Sequence, residues 1–306
     1  MQDLVTSDAS THALLGVGSA VGERIEDNHA LATRVTNFDP ARAGCDLDTW
    51  VRKRFGVTTR ALTDRLPSEL AADAATIALE RAGRTARDID LLVLNTATGD
   101  HRQPTTATAV QGLLGMRSDS FALEVNMPCA GIIYGLELAR SLLLAGQGRT
   151  ALVIGVDKMS DLVDPHDFIM AGMFGDGAGA AVVGVGDGPA LHPAVLRSEP
   201  DTGRALCIAA GGSVEPLTPE AVADGRHFLR MRGPETAGFI DRTVRDTVRS
   251  LLDRSGLSVG DIRAVIPHQA SRPLVLAPLL DLGFSDDRVH FTLDRFGNTS
   301  AASLLV

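Results

Sequence analysis

ERAGRTARDIDLLVLNTAT (residues 80–98) and DRSGLSVGDIRAVIPHQAS (residues 253–271) align without a gap at an offset of 173 residues, and that pairing decides the architecture. In each segment a helical pattern stops at a glycine, Gly83 or Gly256, and a short loop then reaches an Asp-Ile pair, Asp88-Ile89 or Asp261-Ile262, before an apolar strand. The downstream segments match in the same order: a helix, a short strand, and a helix start carrying a polar residue, Cys129 in the first copy and Asn298 in the second. The chain therefore reads as two copies of one α/β unit, residues 1–186 carrying Cys129 and residues 187–306 carrying His268 and Asn298. Short apolar runs such as LLGVGSAV (14–21), LLVLNTAT (91–98), TALVIGV (150–156) and GAGAAVVGVG (177–186) alternate with longer helical patterns such as SELAADAATIALERAG (68–83). That alternation predicts strands buried on both faces and covered by helices.

Continuing the offset places Val306 opposite residue 133, just inside a helix, so the second copy has no counterpart of TALVIGV or GAGAAVVGVG. A sheet without its last two strands exposes edges and apolar faces. The expectation is a chain lacking a C-terminal portion, and an insoluble or inactive protein if those strands do not exist.

Composition narrows the function classes. The 306 residues are 44% hydrophobic and 22% charged, which fits a globular chain with a large core. A formal net charge of -9 argues against a nucleic-acid partner, since phosphate binding needs a basic face. The three cysteines, Cys45, Cys129 and Cys207, have no CxxC spacing and an odd count, so neither a disulfide framework nor a metal site is predicted. A reducing cytoplasm suits them. The N-terminus lacks a basic region before its apolar run, and no stretch approaches 18 uninterrupted apolar residues, so a soluble, unprocessed protein is expected.

Within VNMPCAGIIYGLELA (125–139), Cys129 falls where strand residues give way to a helix. A thiol at a helix N-terminus feels the positive end of the macrodipole, which lowers its pKa and suits a nucleophile. A small cysteine filling a buried gap is the other reading. His268, in IPHQAS, and Asn298, in DRFGNTSAAS, stand at similar corners; alone, the first reads equally as a core histidine and the second as a helix N-cap. Together, a thiol, an imidazole and an amide make a set for thioester chemistry.

LDTWVRKRFGV (47–57), CAG (129–131), DPHDF (164–168), FGDGAGAAV (174–182), PHQA (267–270) and LDRFGNTSAAS (293–303), in this order, resemble the beta-ketoacyl-acyl carrier protein synthase III family over nearly the whole chain. The resemblance implies the thiolase fold, with two pseudo-duplicated α/β halves in five αβαβα layers, and a homodimer. It implies that Cys129 accepts an acyl group from a thioester. His268 and Asn298 would hold the thioester carbonyl of a second, malonyl-type substrate and stabilise the enolate formed on loss of carbon dioxide. The enolate then attacks the acyl-Cys. The backbone N–H of Cys129 should supply one oxyanion donor. No cofactor or metal is implied beyond acyl-CoA or acyl-carrier thioesters as substrates. FGDGAGAAV reads as a structural strand and turn. His101, His166, His192, His227 and His290 read as surface or loop residues, and Cys45 and Cys207 as structural.

Departures from the family pattern bear on substrate. Ser271 stands where a second Asn normally follows PHQA, and a hydroxyl reaches less far than an amide, which weakens the case for decarboxylation. Trp50 and Arg54 match residues at the mouth of the family's pantetheine tunnel, within a basic patch of Arg52, Lys53 and Arg54. Phe168 replaces an Arg that pairs with this Trp around adenine; it can stack but cannot pair a phosphate, which makes acyl carrier protein the better donor than free coenzyme A. Gln103 replaces a Phe that in the family reaches into the dimer partner's acyl pocket, and Met127 and Pro128 replace small residues. These changes point to a specialised, polyketide-type member rather than housekeeping fatty acid biosynthesis. Two alternatives remain open: an acyltransferase that delivers from Cys129 to an oxygen or nitrogen nucleophile, and a non-catalytic partner subunit.

Overall fold

The computed structural model describes residues 12–200 and 203–306. Its strands are β1 (Ala13–Val21), β2 (Arg24–Asp27), β3 (Thr59–Leu62), β4 (Leu91–Asn95), β5 (Phe121–Val125), β6 (Thr150–Lys158), β7 (Asp176–Gly184), β8 (Leu206–Cys207) and β9 (Arg230–Met231). Short helices α1 (Asn28–Ala32) and α2 (Pro40–Ala43) lead to α3 (Leu47–Phe55), and α4 (Pro67–Arg81), α5 (Thr106–Leu113) and α6 (Gly131–Leu144) alternate with strands. The remaining helices are α7 (Met170–Met173), α8 (Pro219–Ala223), α9 (Gly233–Ser255), α10 (Arg272–Asp281) and α11 (Leu293–Phe296).

Five strands form the central sheet in the order β1-β7-β6-β4-β5. β4 runs parallel to β5 and β6, and β7 runs antiparallel to β6 and β1. β4 and β7 are buried along their whole length, as their unbroken apolar runs predict. On one face α4 lays its alanine stripe, Ala71, Ala74, Ala75 and Ala78, over β1, β6 and β7. The approach is close enough that a Cβ on Gly18 would sit 2.3 Å from the carbonyl oxygen of Ala74. On the other face α6 packs Ile132, Ala139 and Leu143 against Leu91, Val93, Ala151 and Val153. β5 is the outer strand, with Phe121 and Leu123 exposed on it.

Two local features of the internal echo recur in the structure. Gly83 and Gly256 both take left-handed backbone, with φ of +60° and +68°, at the ends of α4 and α9. Asp88 Oδ2 accepts from the backbone N–H and hydroxyl of Thr85 at 2.7 and 2.8 Å; Asp261 Oδ2 accepts from the same groups of Ser258 at 2.8 and 2.6 Å. The copies then diverge. Where the first continues into β4, the second makes one parallel bridge, Val265 to Val289, and its hydrophobic cluster lies between α9 and α10, with Ile240, Val244 and Val248 facing Val275, Leu276 and Leu279. Among the described residues, the second half thus pairs strands only in the two-residue ladder of β8 with β9 and in isolated bridges, with no counterpart of the central sheet.

One further crossing matters for the site. α11 ends at Gly297, with φ of +74°, and the chain then runs over β6 and β7 as the turn 298–303. A Cβ on Gly175 would come within 2.0 Å of the Phe296 oxygen, and one on Gly155 within 2.3 Å of the Ala301 oxygen, so only glycine lets this turn lie flat on the sheet. Gly155→Ala is expected to lift the turn and cost about 1–3 kcal/mol by overpacking, read as a lowered denaturation midpoint. An unchanged midpoint would show that the turn yields freely.

Candidate active site

Cys129 leaves the end of β5 through Asn126, Met127 and Pro128 and stands one residue before the N-cap of α6. Its φ is +59°, a left-handed conformation that costs a residue with a side chain of order 1–3 kcal/mol and persists only when its surroundings enforce it. The surrounding enforcement is visible: the Cys129 N–H donates to Ser300 Oγ at 3.1 Å. The backbone group expected as an oxyanion donor is therefore occupied by a hydroxyl of the 298–303 turn.

The turn is built on polar contacts. Asn298 pairs its backbone with β7's approach, donating to Met173 O at 2.9 Å and accepting from the Gly175 N–H at 3.1 Å. Its side-chain Oδ1 accepts the Ser300 N–H at 2.9 Å, which fixes the amide orientation and leaves Nδ2 without a hydrogen bond among the described residues. Asn298 is thus a cap through its oxygen while its nitrogen stays available at the cavity. Behind the turn, the buried Asp157 accepts from the Ala301 N–H at 3.0 Å and the Ala97 N–H at 2.7 Å, with the Thr96 and Thr98 hydroxyls each 3.3 Å away.

His268 lies three residues beyond the Val265 bridge. The neighbouring Gln269 is buried and stitches this loop to residues 290–293: its Oε1 accepts from Thr292 and Leu293 N–H at 3.0 and 3.3 Å, and its Nε2 donates to Pro267 and His290 carbonyls at 2.7 and 3.3 Å. His268 Nδ1 lies 2.7 Å from Ser303 Oγ.

Two cavities meet at Cys129. The larger, about 720 Å³, is also lined by Trp50, Arg54, His268, Ser271 and Asn298. The smaller, about 230 Å³, is walled by Leu162, Phe174, Leu206, Cys207 and Leu229. Cys207, expected as a structural cysteine, lines the same small cavity as Cys129. Cys45 is half-buried beside Ala43.

The electrostatics correct one expectation. Burial, and then the carboxylate of Asp157, push the Cys129 thiol up to about 12, against a hydrogen bond from Ser300 that favours the thiolate. Desolvation is the leading cause of the rise, ahead of the Asp157 charge. Burial also pushes the His268 imidazole down to about 4, so it is neutral near pH 7. The surface that both side chains retain opens into the cavities.

The remaining predicted residues divide. Ser271 is buried on the large cavity, but its hydroxyl donates to the Arg54 carbonyl at 3.1 Å, so its one proton points away from a substrate oxygen. Trp50 is ringed by Phe38, Phe55 and Phe168, with Phe168 edge-on at 4.8 Å. Arg52, Lys53 and Arg54 are all exposed; Arg52 is paired with Asp48 at 2.7 Å, which leaves Lys53 and Arg54 as the charges of the basic patch without an ion pair among the described residues. Gln103 is exposed and lines neither cavity, Met127 is half-buried, and Pro128 lines the small cavity. Asp176 of FGDGAG accepts from the Thr63 and Ser160 N–H groups at 2.9 and 2.8 Å, a structural tie as expected. His101, His166, His192 and His290 are exposed, whereas His227 is half-buried against Phe228. No cluster of three His, Cys, Asp or Glu side chains suited to a metal occurs among the described residues. Sequence reasoning assigned no role to Asp157, Gln269, Ser300 or Ser303; the last three lie inside the quoted motifs, which was the available signal.

This is the fold of the thiolase-type condensing enzymes. The chain aligns with the structure of 3-oxoacyl-(acyl carrier protein) synthase III from Pseudomonas aeruginosa PAO1 at a TM-score of 0.82 and 32% identity, covering 96% of this chain and 86% of that one. It aligns with the priming beta-ketosynthase of the R1128 polyketide pathway at a TM-score of 0.85 and 28% identity, covering 98% and 87%. Residues 123–200 match the family model described as 3-oxoacyl-[acyl-carrier-protein (ACP)] synthase III, and residues 252–306 match its C-terminal counterpart. Beta-ketoacyl-[acyl-carrier-protein] synthase III of Symbiobacterium thermophilum is 37% identical over 296 residues, 96% of this chain and 87% of the relative. The chain belongs to the beta-ketoacyl-acyl carrier protein synthase III family.

With the thiol held near 12, iodoacetamide alkylation of Cys129 should be slow at pH 7 and rise about tenfold per pH unit up to pH 10, followed by intact mass with Cys129→Ala as the blank. Asp157→Asn should speed it at fixed pH by removing the buried negative charge. A rate that levels off near pH 8.5 would show an ordinary thiol.

Proposed function

We propose that this chain catalyses decarboxylative condensation between an acyl thioester and a carrier-bound malonyl-type extender. The observation that carries the reading is the convergence of Cys129, His268 and Asn298 on one cavity, with a second apolar cavity opening from Cys129. The donor's pantetheine arm enters past Trp50 and Arg54. Cys129 sulfur attacks the thioester carbonyl, the donor thiol departs with the proton, and the acyl group lodges on Cys129 with its apolar tail in the small cavity. The extender then enters the emptied tunnel. Its thioester oxygen is met by His268 Nε2 and Asn298 Nδ2, two donors in a dry site where oxyanion stabilisation is strongest. Loss of carbon dioxide leaves an enolate whose carbon attacks the acyl carbonyl. The Cys129 sulfur leaves and takes up a proton, which regenerates the thiol. Ser271 adds no third donor while it is bonded to Arg54, so the decarboxylation step rests on His268 and Asn298.

Acyl carrier protein is the preferred donor in this reading. A base sandwiched between Trp50 and residue 168 needs parallel rings about 7 Å apart, and the edge-on Phe168 at 4.8 Å fills that space. Lys53 and Arg54 remain to steer an acidic carrier. A cytoplasmic homodimer and a specialised, polyketide-type pathway complete the proposal; no helix among the described residues is long and apolar enough to cross a membrane. The exposed Phe121 and Leu123 on the outer strand β5 support pairing with a second copy.

Intact mass spectrometry with a panel of acyl-carrier and coenzyme A thioesters tests the chemistry. The expected result is an adduct absent in Cys129→Ala, formed faster from carriers, that clears on adding malonyl carrier as carbon dioxide and a product two carbons longer appear. An adduct that clears only with an alcohol or amine would replace condensation with simple acyl transfer. For the assembly, sedimentation should give a dimer that Leu123→Lys converts to monomer; a wild-type monomer would sink that part.

A further inference from the structure

His268 is held from behind by a residue with no assigned role. Ser303 is buried, its Oγ lies 2.7 Å from His268 Nδ1, and the same oxygen receives the Gln269 N–H at a long 3.5 Å. Its own N–H donates to Ser300 O at 3.2 Å, the carbonyl of the same peptide group whose Ala301 N–H is held by Asp157 at 3.0 Å. The hydroxyl's position is therefore set by the turn rather than by the histidine.

The shared proton can sit in two places, and hydrogen-bond accounting chooses between them. If Nδ1 carried it, the Ser303 hydroxyl hydrogen would be buried without an acceptor among the described residues, and Nε2 would face the cavity as a bare acceptor. If the hydroxyl donates, Ser303 is satisfied on both sides and Nε2–H faces the cavity. Buried polar groups are paired in the great majority of cases, which favours the second arrangement.

We propose that Ser303 is a positioning residue whose hydroxyl donates to Nδ1, locks the neutral imidazole of His268 as the Nε2–H tautomer, and so points a donor at the extender's thioester oxygen. The tautomer follows from geometry alone; its use rests on the condensation reading above. The lowered pKa of His268 agrees with this, since only a neutral ring has a tautomer to select.

Long-range proton–nitrogen NMR of the full chain labelled with ¹⁵N-histidine at pH 7 reads the tautomer directly, with His268→Asn identifying the signal. The expected spectrum shows Nε2–H in wild type and a mixture in Ser303→Ala. In the same variant kcat for condensation should fall about tenfold with KM and Cys129 acylation nearly unchanged, and Ser303→Thr should restore both readouts. An Nδ1–H ring in wild type, or an unmixed Nε2–H ring in Ser303→Ala, would overturn the proposal. If Ser303→Ala fails to fold, the wild-type spectrum still decides the direction of the bond. An Nε2–H ring in a protein that condenses no extender would uphold the positioning and overturn the reaction.

Discussion

The carboxylate of Asp157 is the point on which the site hangs. It lies at the end of β6 beneath the 298–303 turn and gathers the Ala97 N–H from the loop after β4 and the Ala301 N–H from the turn. A buried carboxylate is tolerated only when several donors surround it, and the backbone groups that satisfy it belong to the two segments that flank the Cys129 site. That tie acts together with the Asn298 contacts to hold the turn from which Ser300 meets the Cys129 N–H and Ser303 meets His268. Burial raises the pKa of Asp157 as well, so the contact that organises the turn also carries an electrostatic cost. The thiol next to it bears part of that cost.

The glycines answer to the same constraint. A turn that must reach a buried carboxylate has to lie on the sheet, and Gly155 and Gly175 are where it would otherwise collide with side chains. FGDGAG therefore serves the fold in two ways: Asp176 binds the segments around Thr63 and Ser160, and Gly175 leaves room for α11 to end above it.

Much of this was legible in the chain. The 173-residue echo carried the α/β layering, and the glycine stops and Thr85–Asp88 and Ser258–Asp261 boxes reappear in the structure because caps are local and encoded within a few residues. Cys129, His268 and Asn298 were legible as residue types at the corners of strands and helices, and the cap reading of Asn298 is met by its Oδ1 while Nδ2 is left at the cavity. The thiol's ionisation was not legible: the helix N-terminus is visible in sequence, whereas the depth of burial and a carboxylate 28 positions away from Cys129, at residue 157, are products of packing. Nor could the hydroxyl of Ser271 be seen to turn toward Arg54, or Cys207 to reach the cavity beside Cys129, since both depend on chain segments far apart in sequence.

Burial of Cys129 also governs what the protein ignores. Peroxides and stray electrophiles react with thiolates and leave protonated thiols largely alone. A thiol whose pKa is raised spends less of its time as thiolate, so Cys129 should react more slowly with such reagents than a low-pKa cysteine does.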